Sequence, residues 1–318
     1  MKIVFLDAST MGDTSLRPIA ALGELACFPT STPEEARSRV RDCDVLIINK
    51  IIVDKALLDA APALKLVCES ATGVNNIDVR ECEARGIPVK NVAGYSTDSV
   101  VQATFMHVLS LMGNAPYFDG FVKSGAYSAS PIFTDLSKPF LEMEGKTYGV
   151  VGMGTIGSKV ARIATAFGMR VIYYSTSGTG HCKEYPCVSL DELMSSSDVI
   201  SIHAPYNERT AGLIGERELR LMKPSAFIVN MGRGGIVEEA ALAKVIGEGA
   251  IGGAALDVFE KEPLPADSPL LHTGHPERLR FSPHTAWASV EARNRLVWMI
   301  AENIRGWMAV LSRGEGKC

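Results

Sequence analysis

The string Gly152-Met153-Gly154-Thr155-Ile156-Gly157 has the composition and spacing of a backbone cradle for phosphate. An apolar run from Tyr148 to Val151 leads into it, and a helix-like segment from Ser158 to Phe167 leads out. In that context Gly152 permits a tight strand-to-helix turn, Gly154 lets the main chain approach a pyrophosphate, and Gly157 lets helix and strand close on each other. The first helical turn, with Thr155 and Ile156, then points unpaired N–H groups at the anion. The ligand this predicts is a dinucleotide.

Other groups able to hold an anion or move a proton recur where apolar runs end. Ser175, His203, Arg233, Asp257 and His284 do so beyond the glycine string, and Asp7, Asn49, Thr72-Gly73 and Asn91 do so before it. Ligands of open α/β sheets bind just past the carboxyl ends of the strands. These residues therefore read as two rims, expected to face each other across a cleft.

The runs that must position them are Lys2 to Leu6, Val45 to Ile48, Leu66 to Cys68, Ile87 to Val89, Tyr148 to Val151, Arg170 to Tyr174, Val199 to Ile202, Phe227 to Val229, Gly253 to Leu256 and Leu279 to Phe281. Several are continuous and β-branched, the pattern of parallel strands buried on both faces. Segments such as Pro33 to Arg41, Asp54 to Ala60, Leu190 to Ser195, Glu216 to Leu221 and Glu238 to Ile246 supply crossover helices. Ten strands are many for one open sheet, and the glycine string starts a new unit in mid-chain. The expected architecture is α/β, with two doubly wound parallel-sheet domains: a Rossmann cofactor domain over 96–284, and a smaller flavodoxin-like substrate domain from 1–95 and 285–318. Ser99 to Gln102 has the spacing of a capping box and predicts a helix through Leu111. From Gly113 to Gly145 the pattern fades, which predicts a long irregular arm.

Composition narrows the class. The chain has 318 residues, 47% of them hydrophobic and 21% charged, which fits a globular protein with room for two cores. A net charge of −4 without Lys/Arg clusters offers no field for nucleic acid. No run approaches the roughly 18 apolar residues of a membrane span, and the first apolar run is too short for a signal peptide. Seven scattered cysteines fit a reducing compartment, so the expected location is the cytoplasm. Cys182 and Cys187 near His181 make a poor metal set; no metal is expected.

Three further segments complete the reading: Asn230-Met231-Gly232-Arg233-Gly234-Gly235, Asp257-Val258-Phe259-Glu260-Lys261-Glu262-Pro263 and Ser282-Pro283-His284-Thr285-Ala286-Trp287. With the glycine string upstream, and with Ala71-Thr72-Gly73-Val74-Asn75-Asn76-Ile77-Asp78 nearer the start, the chain closely resembles the D-isomer-specific 2-hydroxyacid dehydrogenases over essentially its whole length. The resemblance implies an anion-binding arginine at Arg233, an acid partner at Glu262 and an acid/base at His284. Those types suit the chemistry. Hydride transfer to a 2-keto acid leaves negative charge on the carbonyl oxygen, which an imidazolium can protonate. A carboxylate beside such a ring orients it and favours its charged form, and arginine can fork onto the substrate carboxylate. Taken singly, each has a plainer reading: a loop-stabilising Arg233, a solvated charge at Glu262, a satisfied strand-end histidine at His284. Jointly, beyond a dinucleotide fingerprint, the catalytic reading prevails.

The same resemblance places the amides of Gly73 and Val74 on the substrate carboxylate, and Asp257 on the nicotinamide carboxamide. His203, through its neighbours Ala204 and Pro205, is expected to touch cofactor. Trp287 reads either as a wall of the substrate pocket or as core, His107 as packing, and His272 and His275 as loop. Within the family, Gly94 to Gln102, Ala71-Thr72-Gly73 and His284 to Trp287 look most like the glycerate dehydrogenase, or hydroxypyruvate reductase, branch. The implied reaction is reduction of hydroxypyruvate or glyoxylate by NAD(H) or NADP(H). Alternatives are a D-lactate or 3-phosphoglycerate dehydrogenase, or a corepressor-like protein that senses the cofactor. NAD-specific sites carry an acidic residue after the second strand; here that place is Ser175, followed by Thr176 and Ser177, and no Asp or Glu occurs from Ser158 to Lys183. NADP(H) is therefore expected to serve at least comparably to NAD(H), with His181 and Lys183 as countercharges. Tyr117, Phe118, Phe121, Tyr127, Phe133 and Phe140 in the irregular arm predict a homodimer.

Overall fold

Runs such as Val45-Leu46-Ile47-Ile48 and Phe227-Ile228-Val229-Asn230 are buried at every position, because each lies inside a parallel sheet covered on both faces. In the computed structural model, which describes residues 1–314, the chain forms two units. One comprises Met1–Ser96 and the stretch from Trp287 onward; the other is Thr97–Ala286. The breaks expected above fall at 95/96 and 284/285; the part of the expected substrate domain over 315–318 lies outside the described residues.

The first unit contains β1 (Lys2–Phe5), β2 (Glu24–Cys27), β3 (Val45–Ile48), β4 (Leu66–Glu69) and β5 (Val89–Lys90), all parallel in the order β2-β1-β3-β4-β5. This is the flavodoxin-like order. Side chains alternate between faces along each strand. Val4, Leu6, Leu46, Ile48 and Val67 share one core with residues of α2 (Pro33–Arg39) and α3 (Lys55–Asp59). Ile3, Phe5, Val45, Ile47 and Leu66 share the other with Ala292, Leu296, Ile300 and Ile304 of α11 (Val290–Gly314). That i, i+4 series is the buried stripe of an amphipathic helix. Short α1 (Arg17–Ala20) and α4 (Val79–Ala84) complete the unit.

The second unit contains β6 (Thr147–Val151), β7 (Arg170–Tyr174), β8 (Val199–Ile202), β9 (Phe227–Asn230), β10 (Gly253–Leu256) and β11 (Leu279–Phe281) in the order β11-β10-β9-β8-β6-β7. All pairs are parallel. Outside β7, Tyr173 N donates to Pro186 O (3.0 Å) and Val188 N to Tyr173 O (2.9 Å), forming a one-residue parallel bridge to Cys187. With that stub as the third strand, the sheet has the order of a dinucleotide-binding Rossmann fold. Its helices are α5 (Thr97–Met112), α6 (Ala115–Lys123), α7 (Thr155–Ala166), α8 (Leu190–Ser196), α9 (Glu216–Leu221) and α10 (Glu239–Gly247). Among the described residues, no helix is long and apolar enough to cross a membrane.

Three local expectations need correction. β2 is an eleventh strand that the apolar runs did not disclose, since it pairs only with β1 and none of its four residues is fully buried. Ala115–Lys123, inside the supposedly irregular arm, is helical, started by a proline at its N-terminus where the missing N–H does no harm. Ser99 does not cap a helix. α5 begins at Thr97, and the buried Ser99 hydroxyl donates to Ala286 O at 2.6 Å.

Candidate active site

The glycine string turns the chain from β6 into α7. Gly152 has φ +93°, a conformation that L side chains rarely adopt, and a Cβ there would also stand 3.1 Å from Ala204 N. A Cβ on Gly157 would stand 2.1 Å from Gly152 O, so only glycine lets helix and strand approach this closely. Gly154 is the extended residue before α7, with no side-chain cap and open space around it. The uncapped amides at Thr155 and Ile156 thus begin a twelve-residue helix, and an open cradle of this kind fits a dinucleotide pyrophosphate.

His203 follows β8 beside this cradle. Its Nε2 lies 2.9 Å from Ser201 Oγ, and its Nδ1 is sealed from solvent without a partner among the described residues. Burial pushes its pKa down to about 3, so the ring is neutral. Ala204 is buried and Pro205 exposed next to it.

At the end of β7, Ser175 is buried, with its Oγ 2.6 Å from Thr179 O and 3.1 Å from Ser177 Oγ. Thr176 is half-buried and Ser177 exposed. His181 Nε2 approaches Met153 O at 3.1 Å, bringing the end of this loop to the glycine string. One residue here escaped the sequence reading: Arg209, on the loop after β8, donates from Nη1 to Ser177 O at 2.7 Å.

The loops after β9, β10 and β11 carry Arg233, Glu262 and His284. His284 Nδ1 donates to Glu262 Oε2 at 2.6 Å, and Glu262 Oε1 accepts the Phe259 amide at 3.0 Å. His284 is held at φ +53°, unusual for a residue other than glycine, by its N–H, which donates to Asp257 O (2.8 Å) and Ser282 O (3.0 Å). Among the described residues, nothing bonds to its Nε2. Glu260, two residues before Glu262, exchanges bonds with the start of α10: its N–H reaches Glu239 Oε1 at 2.6 Å, and its Oε1 accepts Glu239 N at 2.9 Å. Burial, with Glu260 and Glu262 nearby, raises the Glu239 pKa.

Arg233 is exposed, and among the described residues its one side-chain bond is Nη1 to Gly232 O at 2.8 Å. Buried Asn230 shapes that turn, accepting Gly232 N at 3.0 Å and donating to Arg233 O at 2.8 Å. A Cβ on Gly234 would stand 1.8 Å from Phe259 O. The arginine loop is therefore pressed against the loop of Glu262.

Asp257 is 1% exposed. Its Oδ1 accepts the Ser282 hydroxyl (2.6 Å) and Thr285 N (2.8 Å), and its Oδ2 accepts Ala286 N (2.9 Å). The carboxylate expected at the nicotinamide carboxamide thus lies under the loop of His284, with both oxygens engaged. Because the Ser282 hydroxyl donates to Asp257, His107 Nε2, 3.0 Å away, donates to that hydroxyl. Burial lowers the His107 pKa. The residue read as packing is a polar support, a role its apolar helix hid.

In the first unit, Gly73 and Val74 follow β4. The loop is tied down by Thr72 Oγ1 to Val92 O (3.0 Å) and Asn91 Nδ2 to Thr72 O (2.6 Å). The expected rim residues bind one another: Asp7 accepts the amides of Asn49 and Lys50, and Asn49 Nδ2 donates to Ser70 O at 3.0 Å. Glu69, 0% exposed, accepts Asn76 Nδ2 at 2.9 Å on Oε2, and among the described residues nothing pairs with Oε1. Trp287 is half-buried, edge-on to Tyr95 with ring centres 6.1 Å apart.

Comparison with known proteins gives the family. Residues 105–286 match the family described as D-isomer specific 2-hydroxyacid dehydrogenase, NAD binding domain. The chain is 39% identical over 283 residues to a glyoxylate reductase of Korarchaeum cryptofilum, covering 87% of this chain and 82% of that protein. It is 33% identical to a glycerate dehydrogenase of Methylorubrum extorquens, over 97% and 96% of the two chains. The solved structure of an NADPH-dependent glyoxylate/hydroxypyruvate reductase from Sinorhizobium meliloti superposes with a TM-score of 0.82 at 26% identity, covering 96% of this chain and 94% of that one.

Proposed function

The chain belongs to the D-isomer specific 2-hydroxyacid dehydrogenases, and from that premise we propose that it reduces hydroxypyruvate and glyoxylate to D-glycerate and glycolate. It is an NAD(P)-dependent oxidoreductase. The observation that carries the reading is the bond from His284 Nδ1 to Glu262, which leaves Nε2 to exchange a proton.

The glycine string and the loops of Ser175 and His203 would hold NAD(P)H, which when bound would supply the hydride. His284 gives its Nε2 proton to the substrate oxygen as charge develops there. Glu262 fixes the tautomer and direction of the ring through Nδ1. Arg233 can turn its outward donors to the substrate carboxylate, the planar fork matching two oxygens. Asp257, with Ser282 and His107 behind it, acts as a positioning residue: it holds the backbone that presents His284.

We further propose a homodimer in the cytoplasm. Along 106–140 of the second unit Phe133, Leu136 and Phe140 are 89%, 85% and 74% exposed, with Met106, Leu109, Val122 and Ile132 exposed as well. A second copy would cover this apolar surface. Turnover with hydroxypyruvate, glyoxylate, pyruvate and phosphohydroxypyruvate, each with NADH and NADPH, tests the activity. The first two should have the highest kcat/KM; turnover of none of the four would defeat the proposal.

A further inference from the structure

Arg209 belongs to a loop whose conformation is fixed independently of its side chain. Its N–H donates to Asn207 Oδ1 at 2.9 Å, and the buried Thr210 hydroxyl closes the turn onto Pro205 O at 2.6 Å. From there the guanidinium crosses to the serine loop after β7. Nη1 lies 2.7 Å from Ser177 O and 3.5 Å from where a Cβ on Gly178 would stand. That bond uses one of the five N–H donors of an arginine. Among the described residues, no carboxylate pairs with Arg209.

The loop it reaches is the one that contacts the adenosine ribose in this fold. No acidic residue from Ser158 to Lys183 is present to bind a ribose diol or to repel a phosphate. Instead the loop offers the exposed Ser177 hydroxyl and half-buried Thr176, with Ser175 turned inward onto Thr179 O. We propose that Arg209, with the hydroxyls of Ser177 and Thr176, forms the binding site for the 2′-phosphate of NADP(H). The countercharge assigned above to His181 and Lys183 comes chiefly from this more distant arginine. Planar, permanently charged and already anchored through one N–H, it gives up little freedom when its other donors take a phosphate dianion. NADH has no 2′-phosphate and gains nothing from it.

The inference rests on the reading of the glycine string as a dinucleotide site, and calorimetric titration separates the two. Wild-type protein, Arg209→Ala and Arg209→Lys are each titrated with NADPH and with NADH. Loss of charge-assisted bonds to the phosphate should weaken NADPH binding by about ten- to a hundredfold in Arg209→Ala, with NADH within about twofold of wild type and Arg209→Lys in between. Raising the salt should weaken NADPH binding more in wild type than in Arg209→Ala. Equal losses for both cofactors, or no loss for either, would overturn the assignment of Arg209. Wild-type protein that binds neither cofactor would overturn the dinucleotide reading beneath it, and this inference with it.

Discussion

Glu262 grips His284 with one carboxylate oxygen and its own loop with the other: Oε2 is 2.6 Å from Nδ1, while Oε1 accepts the Phe259 amide. The ring is therefore fixed in tautomer and direction by a group that is itself fixed. Nε2 is the nitrogen left for substrate.

His284→Ala should lower turnover about 10²–10⁴-fold, the usual contribution of a general acid. Calorimetric Kd values for the cofactor should change little. Turnover near the wild-type value would remove His284 from the reaction.

Glu262→Gln keeps the shape of the pair, but its amide offers N–H donors as well as an oxygen, so the tautomer and direction of the His284 ring are set less firmly. kcat for keto-acid reduction should fall while the calorimetric Kd of the cofactor changes little. Turnover near the wild-type value would mean that the carboxylate acts on the fold alone.

Arg233→Lys preserves charge without the fork. KM for the keto acid should rise and kcat should fall, each by roughly tenfold, because positioning and carbonyl polarisation are both weakened. Wild-type kinetics would make Arg233 a loop-forming residue, as its bond to Gly232 O alone would suggest.

Burial, with Asp7 adding repulsion, pushes the Glu69 pKa up from 4.5 to about 8. A carboxyl raised in the folded state favours folding fully below 4.5, and that contribution is lost as pH rises toward 8. Glu69→Gln stays neutral throughout. Its stability relative to wild type should therefore improve between pH 5 and pH 9, by as much as about 1.4 kcal/mol per pH unit within the titrating range. Urea midpoints of both proteins at the two pH values check this, and a constant difference would contradict it.

Light scattering at micromolar concentration should give twice the chain mass. Asp substitutions at Phe133 and Leu136, both almost fully exposed, should yield a monomer that still binds cofactor. A monomeric wild-type mass would end the dimer proposal.

What the sequence discloses depends on how local the physics is. The buried strands announce themselves because covering both faces demands apolar residues at each position, and the glycine string because the turn and the close approach at Gly157 tolerate nothing larger. Glu24-Leu25-Ala26-Cys27 was hidden because an edge strand has weaker demands. Glycine, serine and aromatics around Ala115–Lys123 masked a helix begun by proline. Arg209 and the His107–Ser282–Asp257 chain could not be read by spacing at all. Each joins segments far apart in sequence, and neither arginine near a serine loop nor histidine in an apolar helix signals its partner.

The arrangement of α11 has a consequence for biosynthesis. Ile3, Phe5, Val45, Ile47 and Leu66 meet Ala292, Leu296, Ile300 and Ile304 in one core, so this sheet is closed by a helix that is made only after the whole second unit. On the ribosome, the whole of Thr97–Ala286 can emerge and fold while that sheet face still lacks its cover. The nascent chain is thus exposed to aggregation through this uncovered face for that interval, and chaperone contact during synthesis should concentrate on β1, β3 and β4 until α11 leaves the exit tunnel.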